Sequence, residues 1–253
     1  MSSSVPDIDA ANPLLPRHLA IIMDGNNRWA RRRGLPGVEG HRAGEQAVQA
    51  LIRSAARRGI EVVTLYAFSS ENWRRPAAEV SDLMALFLRA LNQRVAELHE
   101  NNIRLRFIGE RSAFSDALQQ GMAESEALTA SNARMTVVVA VNYGGLWDIT
   151  QAARTAMAEL LAQGADAEAL TSERLAAHMA LADLPAPDLL IRTGAEQRLS
   201  NFLLWQLAYS ELWFSPVLWP DFDHHVLDEA LADYAGRQRR FGRSGEQLQR
   251  ESD

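Results

Sequence analysis

Short runs of consecutive apolar residues alternate along this chain with longer stretches of helical period. Leu19–Met23, Val62–Phe68, Ile103–Ile108, Met135–Val141 and Leu189–Ile191 are rich in Val, Ile and Leu and read as strands, with Leu212–Phe214 a sixth. The longer stretches carry a different spacing. Val80, Leu83, Met84, Phe87, Leu88, Leu91, Val95 and Leu98 recur three or four residues apart, which lays an apolar stripe along one helix face. His41–Arg58 reads as a second helix, closed by Gly59, where a left-handed residue costs little. Alternation of this kind predicts an α/β fold, a single domain whose central, mainly parallel six-stranded sheet is flanked by helices. No linker, repeat or composition shift divides the chain. Residues 1–16 and 243–253 read as flexible ends, leaving a body of 17–242.

Composition removes several chemistries. All 26 basic side chains are arginine, and the chain contains neither lysine nor cysteine. Schiff-base chemistry and a P-loop both need a lysine, while thiol nucleophiles, disulfides and cysteine metal sites need the other missing residue. With 32 acidic side chains the net charge is −6, which argues against a general nucleic-acid binder but leaves room for a local cationic pocket. Neither a secretory leader nor a membrane span is legible, so a cytoplasmic protein is expected.

In an open parallel sheet, ligands bind beyond the carboxyl ends of the strands. Here those ends deliver Asp24-Gly25-Asn26-Asn27-Arg28-Trp29, Ser69-Ser70-Glu71-Asn72-Trp73-Arg74-Arg75, Asn142-Tyr143-Gly144-Gly145 and Arg192-Thr193-Gly194 through Arg198-Leu199-Ser200-Asn201. Guanidinium forks among small polar groups suit a polyphosphate. Gly34, Gly37, Gly40 and Gly44, just before and into the helix at His41, would let backbone approach an anion. Asp24 is placed to hold Mg²⁺ beside substrate phosphates. Blander readings stand beside these. Asp24-Gly25 also fits a simple turn, Arg31–Arg33 a solvated helix face, His41 a cap or surface residue, Trp29 and Trp73 packing residues, and the Val80–Leu98 stripe ordinary core.

Several of these segments resemble the cis-prenyltransferase family in sequence and in order. The blocks are His18–Ala30, Gly40-His41, Tyr66–Trp73, Arg75-Pro76, Asn142–Gly145, Arg192–Gly194, Arg198–Phe202 and Trp219–Phe222, within a likeness covering about residues 17–242. The resemblance implies a homodimeric, Mg²⁺-dependent enzyme that extends farnesyl diphosphate with isopentenyl diphosphate in cis additions. Its product would be a polyprenyl diphosphate of undecaprenyl type, the carrier-lipid precursor for peptidoglycan. It further implies that Asp24 binds the metal and assists diphosphate departure, and that Gly25, Asn26, Asn27, Arg28 and Trp29 line the allylic headgroup site with Gly37 and His41 nearby. Ser69, Ser70, Glu71, Trp73 and Arg75 would form the substrate loop, with Asn72 at proton removal. Arg192, Arg198, Leu199 and Ser200 would bind isopentenyl diphosphate, and Glu211 would be a second metal-associated carboxylate. A transient contact with the inner face of the membrane is expected for release of such a lipid. Many relatives carry arginine at Gly37, the usual residue at Ala195 is glycine, and some relatives have histidine at Gln197. The rival readings are a noncatalytic subunit of the same family and a generic nucleotide or phosphate-ester protein, against which the missing dinucleotide and P-loop fingerprints count.

Overall fold

The computed structural model describes residues 15–237. Its six strands are β1 (His18–Ile22), β2 (Val62–Ser69), β3 (Ile103–Ile108), β4 (Met135–Tyr143), β5 (Leu189–Arg192) and β6 (Glu211–Phe214). They form one sheet in the order β3-β4-β2-β1-β5-β6, and every ladder is parallel. The helices are α1 (Asn26–Arg32), α2 (Gly37–Arg57), α3 (Ala77–Glu100), α4 (Asp116–Thr129), α5 (Gly145–Ala162), α6 (Ser172–Ala176) and α7 (His224–Ala235). The α/β expectation is met, and each predicted strand lies within about a residue or two of an observed one.

Period-two alternation along each strand divides the core between the two faces of the sheet. Leu19, Ile21, Val63, Leu65 and Val137 point to the face covered by α2, α3, α4 and α7. Ala20, Ile22, Val138, Ala140 and Leu190 point to the other, where Phe202, Leu203 and Leu207 meet them. β1 is buried at every position, as a central strand with both faces covered must be. The chain places β2 on one side of β1 and β5 on the other, so the order reverses at β1. A crevice opens at its carboxyl end.

Two expectations change. Leu15 packs against the core and Pro16 is buried, so these two residues belong to the folded body. The remainder of the predicted flexible ends, 1–14 and 243–253, lies outside the described residues. The second change concerns the glycines. α2 begins at Gly37 rather than His41, which puts Gly40 and Gly44 inside the helix. A Cβ at Gly40 would stand 2.1 Å from the Asn26 carbonyl oxygen, and one at Gly44 would stand 2.3 Å from Asn26 Oδ1. These glycines let α1 and α2 touch; they do not cradle an anion. Among the described residues no helix is long and apolar enough to cross a membrane.

Candidate active site

The end of β1 turns sharply into α1 at Gly25, whose φ of +119° and contact with Leu218 admit no side chain. The turn sets Asp24 at the crevice between β1 and β5, and Thr193 locks it there. The Thr193 hydroxyl donates to the Asp24 carbonyl (2.7 Å) and accepts from the Asp24 amide (3.0 Å). Arg28, one helical turn on, reaches back to Asp24 Oδ1 (2.9 Å), while Arg192 from the end of β5 donates to Oδ2 (3.0 Å). Gly194 makes this crossing feasible, because a Cβ there would lie 2.5 Å from an Arg28 guanidinium nitrogen.

Arg192 is buried, and its guanidinium also donates to the Arg198 carbonyl and to Ser200 Oγ (2.7 Å). Arg198 itself is exposed and paired with Glu196. Across the mouth, Arg75 and the Asn27 amide both donate to Glu79 at 2.9 Å. Burial would raise the Glu79 carboxyl, but those two donors hold it below its ordinary value. Burial, reinforced by the Arg75 charge, pushes His41 down to about 4, so its ring is neutral near pH 7. Asn26 Oδ1, Asn27 Oδ1, His41 Nε2 and Arg192 Nε are buried without a hydrogen-bond partner among the described residues. Such groups ask for polar company.

The loop after β2 forms a 3-10 turn, Ser70–Arg74, entered through a reciprocal cap in which the Ser69 amide donates to Asn72 Oδ1 (3.1 Å). Glu71 accepts from Asn201 (2.8 Å) and is held below its usual value against the opposing effect of burial. Trp73 packs on Phe68 and Phe114 and donates to Asn142 Oδ1 (2.8 Å).

One cavity of about 710 Å³ begins at this mouth and runs between α2, α3 and the sheet. Of the predicted site residues, Asp24, Gly25, Asn26, Asn27, Arg28, His41, Ser69, Asn72, Arg75, Arg192 and Ser200 line it. Ser70, Glu71, Trp73, Arg198 and Leu199 stand behind or beside that wall. Trp29 does not line the cavity; it lies beneath Arg33 and donates to Asp221 (2.6 Å). Gly37 backs onto Asn27 in a neighbouring smaller pocket and supplies no cation; Arg75 is the guanidinium on that side of the mouth. Glu211 is not brought to Asp24. It opens β6 at the opposite edge of the sheet and pairs with Arg237 (2.9 Å), because β6 runs parallel to β5 and starts where β5 starts. Thr193 and Glu79 were missed, although Thr193's place directly after a buried strand was visible in the sequence.

The Val80–Leu98 stripe serves both as core, through Leu91 and Val95, and as cavity wall. Leu83, Met84, Phe87, Leu91, Val95 and Leu98 face the cavity, opposite Val137, Val139 and Val141 of β4. The chemistry on offer is therefore an anion-binding, carboxylate-bearing mouth joined to a long apolar sleeve.

Fold and site together define an α/β protein built to hold a phosphorylated head and a hydrocarbon tail. Residues 22–242 match the prenyltransferase family model described as "Putative undecaprenyl diphosphate synthase", and the chain belongs to this cis-prenyltransferase family. It is 57% identical over 240 residues to the ditrans,polycis-undecaprenyl-diphosphate synthase ((2E,6E)-farnesyl-diphosphate specific) of Pseudomonas putida, covering 95% of this chain and 96% of that protein. Among solved structures it resembles lavandulyl diphosphate synthase from Lavandula x intermedia in complex with dimethylallyl diphosphate, with a TM-score of 0.88, 37% identity and coverage of 91% of this chain and 100% of that one. A probable undecaprenyl diphosphate synthase from Campylobacter jejuni gives a TM-score of 0.75 at 31% identity, over 90% of this chain and 99% of that chain.

Proposed function

We propose that this chain condenses isopentenyl diphosphate onto farnesyl diphosphate in successive cis additions, making a long polyprenyl diphosphate of undecaprenyl type. The observation that carries this reading is the continuity of the cavity, from the Asp24–Arg28–Arg192 mouth to a sleeve walled by α3 and β4. The family and its 57% identical relative support it. The catalytic unit on this reading is the body predicted over residues 17–242, extended by Leu15 and Pro16.

Arg28, Arg75 and Arg192 would bind diphosphate oxygens, exchanging their present carboxylate partners for phosphate. Asp24 suits a magnesium ion: each carboxylate oxygen accepts one guanidinium bond and keeps lone pairs for a hard cation that also takes phosphate oxygens. Asp24 would hold the Mg²⁺, which when bound would supply charge neutralisation for the departing diphosphate. Within one chain Glu211 is paired with Arg237 and stands at the start of β6, away from Asp24. The allylic carbon–oxygen bond breaks, the new carbon–carbon bond forms, and a proton leaves the isopentenyl unit. Asn72 is a neutral amide and no base. We assign it to orienting that proton, with diphosphate or water as acceptor.

We further read the enzyme as a cytoplasmic homodimer that meets the membrane to release product. An exposed β6 edge with Leu212 beside the exposed Tyr209 supports a covering partner. Purified protein given Mg²⁺ and both substrates should elongate the primer, and Asp24→Ala should abolish it. Absence of any elongated product from the parent protein sinks the reading.

A further inference from the structure

The apolar cavity has a second end. Away from Asp24 its wall is built by Arg53 and Arg57 on α2, Glu97 and Asn101 at the end of α3, and Arg134 on the loop entering β4. Arg53, Arg57, Asn101 and Arg134 are exposed while lining the cavity, so the sleeve reaches solvent there. From Arg134 to Val141 along β4 the wall extends about 23 Å at strand rise. The two openings therefore lie at opposite edges of the sheet.

The charges at the two ends differ in their commitments. At the mouth every arginine already named has a carboxylate: Arg28 and Arg192 hold Asp24, Arg75 holds Glu79, and Arg198 holds Glu196. At the far rim three guanidiniums face one lining carboxylate, Glu97, which contacts Arg53 at 3.4 Å. Among the described residues Arg134 makes only a long hydrogen bond to the Ala56 carbonyl, at 3.4 Å. Arg57 lies in the last turn of α2, where a cation complements the helix C-terminus. That role does not extend to Arg53, a turn earlier, or to Arg134, which is on no helix.

We propose that this rim is the docking face for an anionic lipid bilayer, so that the sleeve opens toward hydrocarbon at the end remote from the diphosphate chemistry. The inference deepens the membrane contact proposed above and rests on that reading. A chain of net charge −6 is repelled by an anionic surface as a whole, so docking needs a local cationic patch. A hydrocarbon end leaving the sleeve at a bilayer passes into lipid and avoids wetting its apolar surface.

The test is flotation of the full chain with phosphatidylcholine vesicles, with and without phosphatidylglycerol, at low and high salt. The protein should float only with the anionic vesicles, and less at high salt. Arg53→Gln/Arg57→Gln/Arg134→Gln should weaken binding by on the order of fivefold for each arginine, and the corresponding Glu variant by more. Circular dichroism checks that both remain folded. A charge-matched control at the other edge, Arg31→Glu/Arg32→Glu/Arg74→Glu, should float like the parent. Asp24→Ala should also float normally, which separates docking from the proposed reaction. No flotation of the parent, equal losses in rim and control variants, or loss in the control alone would each overturn the proposal.

Discussion

Arg192→Met is the substitution with the most to say about the site, because it keeps volume and removes only the fork. The side chain is 4% exposed and has three partners on two segments: Asp24 after β1, and the Arg198 carbonyl and Ser200 Oγ on the loop after β5. Removing one partner of a fully buried pair costs about 3–5 kcal/mol. Asp24 is 29% exposed and keeps Arg28, so screening lowers the figure, and a loss of about 2 kcal/mol is expected. In a chain of this size that is a fall of roughly 4–8 °C in Tm. Turnover should suffer more, since a preorganised cation facing developing diphosphate charge is worth about two to three orders of magnitude in kcat. Thermal unfolding gives the first number, and incorporation of labelled isopentenyl diphosphate, split into kcat and KM, gives the second. If Arg192→Met retains kcat within about threefold, the idea that this guanidinium acts on the reacting diphosphate is refuted, whatever happens to stability.

Three further outcomes follow from other parts of the molecule. His18 is buried between the Pro185 carbonyl and Thr64 Oγ1, and burial lowers it from 6.5 to about 4. The folded state therefore binds fewer protons than the unfolded one across that window. Its stabilisation is complete above pH 6.5 and is lost as pH falls toward 4, about 2 kcal/mol of it between pH 7 and pH 5. Urea unfolding of His18→Asn should show a shallower acid slope, and an unchanged slope excludes His18 as its source. Ala195 holds a φ of +61°, which costs an L residue about 1 kcal/mol; Ala195→Gly should leave Tm unchanged or raise it by up to about 2 °C after the entropy of the unfolded glycine is subtracted, and a lower Tm contradicts the strain argument. Ala90 lines the sleeve, so Ala90→Trp should shorten the products seen by mass spectrometry, whereas an unchanged distribution excludes this part of the cavity from chain-length control.

The elements were legible because buried parallel strands and amphipathic helices leave local patterns. The Val62–Phe68 and Met135–Val141 runs fall short of the observed ends for a non-local reason. β2 and β4 continue pairing to Ser69 and Tyr143 through register shifts at Phe68 that no apolar count records. The strand-end arginines could be found because chemistry concentrates where strands stop. What escaped was anything set by contact across the fold. Gly40 and Gly44 suggested an anion loop until Asn26 was seen pressed against them. Trp29 suggested a ligand wall until Asp221, far along the chain, was seen accepting from its indole. Asp148, to which no role was given in the sequence, is buried and accepts from Tyr143, Gln206 and the Ala180 amide.

The thin anchoring of α3 has one more consequence. α2 buries eight of its 21 residues, while the 24-residue α3 buries only Leu91 and Val95. Leu83, Met84, Phe87 and Leu98 line the sleeve, so a hydrocarbon chain bound there would add to the packing of this helix. Each added isoprene unit then acts as interior side chains do elsewhere. Amide exchange in α3 should slow, and the melting temperature climb, in step with the length of the bound chain.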